Sequence, residues 1–287
     1  GVSTFHPLVY AIIDERTVAN RGKAFGMYEF WASTALVAMY IVNGTLLRFL
    51  DWKQILIVTA IPGVVAAILY TMGKPEPLHV ETQEKRAAVE DGSEIPSWVF
   101  ILFLLSVLFR ILGTTATMNF VPTYLVAEKG MNSTFASYSS GLLFLGGMAA
   151  AIFAGKSSDR WGPLPTLNGV IILLLPSIFI LTMNVPFWLH AVSLFLFGAG
   201  VAAGFPPQSI AISRLSGRIG TGEVFGILMA LITITMAVGP ILQGMLADRI
   251  GLGNAFRVFE IPLIASLIIT SFLTHSPLLK KRVKIKA

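Results

Sequence analysis

The sequence predicts an all-α fold, a polytopic bundle of membrane-spanning helices. Three observations carry this. Of 287 residues, 55% are hydrophobic and 13% charged, with a mean hydropathy of +0.76. A soluble domain carries about 25% charge, so this chain has too few charges to cover a water-facing surface. The charges also cluster, leaving apolar runs about 20 residues long, the length that crosses a bilayer as a helix. Finally, the basic residues gather on alternate connections, as they do when a chain crosses a membrane repeatedly.

The elements follow in chain order. Residues 1–13 are too short for a full span and read as the end of one. Full spans are expected at 22–47, 53–72, 97–126, 135–155, 164–184, 186–211, 223–247 and 256–275. Most connections are short. The exception, residues 73–96, is polar, acidic and Pro-bearing, and reads as a solvated linker. The expected organisation is therefore 1–72 as the end of one helical bundle, 73–96 as linker, 97–275 as a second, six-helix bundle, and 276–287 as a basic tail. The chain opens on Gly1 rather than Met and shows no cleavable signal peptide.

Alternating the connections sorts 15 Lys and Arg to one side and 5 to the other, with Arg110 inside a span. The richer side holds the linker, residues 156–160 and the tail, and is expected in the cytoplasm of a cell membrane. The net charge of +6 and pI of 9.7 then reflect loops facing an anionic leaflet rather than a nucleic-acid partner. With no cysteines, disulfides, thiolate nucleophiles and cysteine metal sites are excluded. The four His show no metal spacing, and no phosphate-binding G-x-x-x-x-G-K-[ST] occurs. No cofactor is implied.

The chain also repeats itself. Sliding it by 200 residues lays 1–63 on 201–263 without a gap, with 13 identities where chance gives roughly 5. Phe5, Pro7, Gly22, Phe25, Gly26, Gly44 and Pro62 meet Phe205, Pro207, Gly222, Phe225, Gly226, Gly244 and Pro262. Glycines and prolines are what helix packing and kinks need. Since the second bundle starts near Ser97, its counterpart would begin about 100 residues before Gly1, with three spans and most of a fourth. Twelve spans in two six-helix halves is a plan that fits a solute site at the membrane midplane.

Between the fourth and fifth full spans stands "GKSSDRWGPL", Gly155 to Leu164. With the topology and the repeat, this resembles the major facilitator superfamily, which carries G-x-x-x-D-R-x-G-[RK]-[RK] between helices two and three and a weaker copy between eight and nine. Gly155, Asp159, Arg160 and Gly162 match; Pro163 and Leu164 replace the final basic pair. The resemblance extends over the whole chain and implies a cytoplasmic gate. Gly155 would let helices approach closely, Asp159 would accept from a helix N-terminus, and Arg160 would pair with a carboxylate or carbonyl. The alternative is an ordinary charged turn. "FHPLVYAIIDERTVANRGKAFGMYE" is also similar to fosmidomycin-resistance-type exporters. Helix five lacks the Gly-Pro motif usual in the family's drug–proton antiporters; Gly239 and Pro240 stand on the repeat-equivalent helix instead, opposite Met39 and Tyr40.

Arg110 is the sharpest candidate for solute contact, about 18 Å beyond Trp98 and so near the midplane. Placing it there costs roughly 2.5–3.5 kcal/mol on insertion scales, so it needs a partner or a wet cavity. Either it holds an anionic solute or coupling carboxylate, or it is a structural arginine on backbone carbonyls. Thr114, Thr117 and Tyr124 are expected on its face, with Asn119 nearby. Glu29 and His6 are candidate titrating groups, and Gln208 in "GFPPQS" is expected to line the opposite wall. His190, beside Trp188, reads as interfacial. Gly200, Gly204, Gly239, Pro240 and Gly244 read as packing and bending positions.

The resemblance implies a secondary active transporter, not an enzyme. It would carry a small solute (drug, metabolite or organic anion) by alternating access, with protons as coupling ion and the lipid bilayer as surroundings, as a monomer. Two other readings remain: a transport-dead remnant or membrane sensor that keeps the fold, and a membrane-bound acyltransferase-like enzyme with His6 near Asp14 or Glu15.

Overall fold

A computed structural model of the chain describes positions 9, 12 and 13 and residues 21–72, 96–215 and 221–276. Every regular element among them is helical. In order they are α1 (Arg21–Leu46), α2 (Trp52–Met72), α3 (Ser97–Ala127), α4 (Ser133–Trp161), α5 (Pro163–Thr182), α6 (Phe187–Ala203), α7 (Phe205–Leu215), α8 (Thr221–Ile250), α9 (Leu252–Val258) and α10 (Glu260–His275). Among the described residues, seven spans are long and apolar enough to cross a membrane. They number eight if Ser133–Ala150 and Phe153–Trp161, bent by 40°, form one span. One span, Phe187–Ile212, joins α6 to α7; another, Leu252–His275, joins α9 to α10.

Local chemistry sets the boundaries. Asp51 and Gln54 cap α2 reciprocally: the Gln54 N–H donates to Asp51 Oδ1 at 2.9 Å and the Asp51 N–H to Gln54 Oε1 at 3.0 Å. Asn132 caps α4 by accepting from the Phe135 N–H at 2.8 Å. The turn from α4 to α5 is the single residue Gly162, at φ 93°, where a side chain would be strained; Pro163 then opens α5. Gly251 at φ 83° makes the equivalent turn from α8 to α9. Pro262 has no N–H for the Val258 carbonyl, and the last span is interrupted at Phe259.

Two expectations change here. Residues 156–160 are not a loop: nothing from Gly155 to Trp161 breaks a helix, so α4 runs on through them to Gly162. The span expected at 186–211 is two helices, because Gly204 is followed by Pro206 and Pro207. Neither proline can donate to the carbonyl four residues back.

α1 packs along α4, α4 on α6, α5 on α6 and α10, and α3 on α8 and α10. The core has two apolar layers. Val99, Phe103, Val107 and Ile111 of α3 meet Leu167, Ile212 and Leu228 toward the Gly162 end. Val121 and Leu125 share the other layer with Ile171, Leu174, Phe197 and Phe256, toward the Gly251 end. α2 leans little on any other described helix, and Ile55 is its one buried residue among the described side chains. Leu56, Ile57, Val64 and Leu69 are each more than half exposed. Such a surface is stable against lipid, not water.

Candidate functional site

Between Ile111 of the first layer and Val121 of the second, and at Arg110 just before them, buried side chains of α3 turn polar. Arg110, Thr114 and Thr117 are fully buried, and so is Gln208 on α7. Arg110 Nη2 donates to Gln208 Oε1. The guanidinium also lies over the Phe205 ring, its Cζ 5.5 Å from the ring centroid, a favourable cation–π placement. A Cβ on Gly204 would press on the same guanidinium, 2.8 Å from its Cζ. The cation of α3 is thus seated in the break between α6 and α7, where two prolines leave the Ala202 and Ala203 carbonyls without their helical donors.

The threonine hydroxyls donate within their own helix, Thr114 to the Arg110 carbonyl at 2.9 Å and Thr117 to the Gly113 carbonyl at 3.1 Å. Each keeps its acceptor lone pairs. Tyr124 shares their face but sits farther along, where its hydroxyl donates to the Leu181 carbonyl at 3.1 Å and its ring packs on Phe256. Asn119 is exposed on the other side of α3, and its amide donates to the Thr115 carbonyl at 2.9 Å. Glu29 is half-buried on α1 beside Tyr28. His6 lies outside the described residues. His190 is buried, its Nδ1 3.4 Å from the Pro186 carbonyl.

The glycines mark close crossings. A Cβ on Gly200 would lie 2.6 Å from Leu174 Cδ2; one on Gly239 would lie 3.5 Å from Leu112 Cδ1; one on Gly244 would lie 3.5 Å from Phe120 Cζ. Pro240 lies within α8. Gly146 and Gly198 make the tightest contact: a Cβ on Gly198 would overlap the Leu143 carbonyl, and one on Gly146 the Phe195 carbonyl. α1 meets α4 in the same manner, Gly44 against Tyr138 and Gly147 against Ser33. In the stretch 155–162, Gly155 is buried in α4, Asp159 and Arg160 are exposed in its last turn, and the Arg160 Cζ lies 5.9 Å over the Trp161 ring.

A polar clasp at the Gly251 end was not foreseen. Glu128 accepts from the Leu252 N–H at 2.6 Å and the Gly253 N–H at 3.2 Å. Lys129 Nζ donates to the Met183 carbonyl at 2.9 Å, and Arg257 Nε to Thr182 Oγ1 at 3.0 Å. Burial pulls the Lys129 ammonium below the usual lysine range, against the opposing pull of Glu128. The clasp ties the ends of α3, α5 and α9 together. Its sequence signal was the pair Glu128-Lys129 directly after an apolar run, facing the turn at Gly251.

The model of the Major Facilitator Superfamily matches residues 102–287. The chain is 24% identical over 235 residues to the Uncharacterized MFS-type transporter YbcL of Bacillus subtilis (strain 168), covering 77% of this chain and 57% of that protein. It is 25% identical over 167 residues to the Multi-drug resistance efflux pump PmrA homolog of Lactococcus lactis subsp. lactis (strain IL1403), covering 55% and 40%. The chain thus spans about half the length of these relatives. The fold is that of the E. coli Fucose:proton symporter FucP, with a TM-score of 0.60 at 15% identity over 89% of this chain and 70% of that one. These matches do not show the expected likeness to fosmidomycin-resistance-type exporters. With the family model covering well over half of it, the chain belongs to the Major Facilitator Superfamily.

Proposed function

We propose that the chain is the larger part of a secondary active transporter that moves a small solute by alternating access. The single observation that carries this is Arg110, a cation buried at mid-span and seated in a helix break. Burying a charge there is costly, and in this family's architecture the cost is repaid at a solute site between two halves. Residues 1–72 would belong to one half and 97–275 to the other, with 73–96 joining them on the cytoplasmic side. The relatives' names support transport: one is an MFS-type transporter, another a multidrug efflux pump. A proton symporter shares the fold, which supports protons as coupling ion, with Glu29 or His6 as carrier.

In this reading Arg110 meets an anionic or strongly polar group of the solute, and Gln208 fixes the guanidinium plane. Thr114 and Thr117 offer acceptor oxygens beside it. Gly155, Asp159, Arg160 and Gly162 would form the cytoplasmic gate. The test is a thermal-shift screen of the purified full-length protein against small organic anions, repeated on Arg110→Ala. A solute that raises the melting temperature of the parent and not of the variant supports the site. Equal stabilisation of both removes Arg110 from it.

A further inference from the structure

Gln243 on α8 is completely buried, and among the described residues neither its amide nitrogen nor its carbonyl oxygen has a hydrogen-bond partner. Gly239, one turn earlier, faces Leu112 and Ala116 of α3, and Gly244 faces Phe120, so the carboxamide is sealed near the α3–α8 seam. A buried amide with no partner is destabilising, and native structures rarely keep one without a reason. The repeat at offset 200 sharpens the point. Asn43 of α1 stands where Gln243 stands in α8, and its Oδ1 is likewise buried without a donor. The glycine after each faces an aromatic ring: a Cβ on Gly44 would lie 2.6 Å from Tyr138, and one on Gly244 would meet Phe120 at an ordinary 3.5 Å. At the same register of two repeat-related helices, then, a side-chain amide oxygen is buried without a donor among the described residues.

We infer that Gln243, with its repeat mate Asn43, disfavours the conformation seen here and is satisfied in the alternate one, so that the pair keeps the two states of the transport cycle close in free energy. The inference rests on the alternating-access reading above. Its physical content is simple. A two-state transporter needs neither state too stable. A carboxamide that loses its partners in one state raises that state, and any shift of α8 along α3 that supplies a donor and an acceptor lowers the other. Gln243 is not one of the residues assigned to the solute site; Gly239 and Gly244 put it on the seam with α3.

The test replaces the carboxamide by an apolar side chain of similar length. In the purified full-length protein Gln243→Met is expected to raise the melting temperature by ~2–4 °C and to slow solute exchange in proteoliposomes roughly three- to tenfold. Asn43→Leu is expected to move both readouts the same way. A fall in melting temperature would show that the amide is satisfied, by water or protein, and overturns the inference. A rise with unchanged exchange also overturns it, since the lost penalty would then belong to both states. A parent protein that exchanges no solute overturns the transport reading, and this inference with it; that failure is told apart because it appears without any substitution at Gln243.

Discussion

Arg110 and Gln208 are 98 residues apart in the chain and share a buried hydrogen bond, struck where one span is broken into α6 and α7. The bond puts the one charged side chain of α3's interior against the span whose continuity Gly204, Pro206 and Pro207 interrupt. Position and partner explain each other: the guanidinium occupies the space that a side chain at 204 would take.

Gly204→Ala therefore pushes a methyl group into the guanidinium. The expected cost is about 1–3 kcal/mol, read as a lower melting temperature. In Arg110→Ala, where that space is empty, Gly204→Ala is expected to cost much less. The two substitutions then couple, and a double-mutant cycle measures the coupling directly.

Gly198→Ala is expected to prevent correct assembly, because its Cβ would overlap the Leu143 backbone and α4 and α6 would have to separate. Gly63→Ala is the control. Nothing lies within 4 Å of its Cβ, and alanine in a helix interior gains about 0.5–1 kcal/mol over glycine. Yield of monodisperse protein and melting temperature should separate the two clearly.

Glu128→Ala removes the acceptor from the first N–H groups of α9. A loss of about 0.5–2 kcal/mol is expected, as for other helix caps, and Glu128→Gln should recover part of it through its remaining carbonyl oxygen. Hydrogen exchange at Leu252 and Gly253 would report the opening locally.

The absence of cysteine makes sidedness measurable by single substitutions. Lys156→Cys and Arg48→Cys both place a thiol at an exposed position, at opposite ends of the bundle. In intact cells a membrane-impermeant maleimide is expected to label the second and spare the first. The reverse pattern would invert the assigned orientation.

Much of this was legible in the sequence, for physical reasons. Span positions follow from apolar length alone. α2 and α9 begin 200 residues apart, at Trp52 and Leu252, at the offset of the repeat. Arg110 and Gln208 were singled out separately, and the fold brings them together. Asn119 was misplaced, yet helical geometry contained the answer. At about 100° per residue, nine residues from Arg110 is half a turn away, while Thr114, Thr117 and Tyr124 return to its face. The break at Gly204 was written in its two prolines. The Glu128–Lys129 clasp is signalled only by a charged pair after an apolar run; its partners at Leu252, Gly253 and Met183 lie in turns whose placement apolar periodicity does not specify. Charge alone suggests a loop at 156–160, whereas only Gly162 and Pro163 stop the helix.

The central claim is that a solute is recognised at Arg110, and exchange transport tests it most directly. Full-length protein in proteoliposomes would be loaded with the solute found by thermal shift, and counterflow measured for the parent, Arg110→Lys and Arg110→Ala. Arg110→Ala is expected to lose counterflow by about a hundredfold or more, equivalent to about 2.7 kcal/mol or more, with partial retention in Arg110→Lys, which keeps the charge but not the forked donors. Counterflow in Arg110→Ala at the parent's rate would contradict that claim and leave Arg110 as the structural arginine of a broken helix.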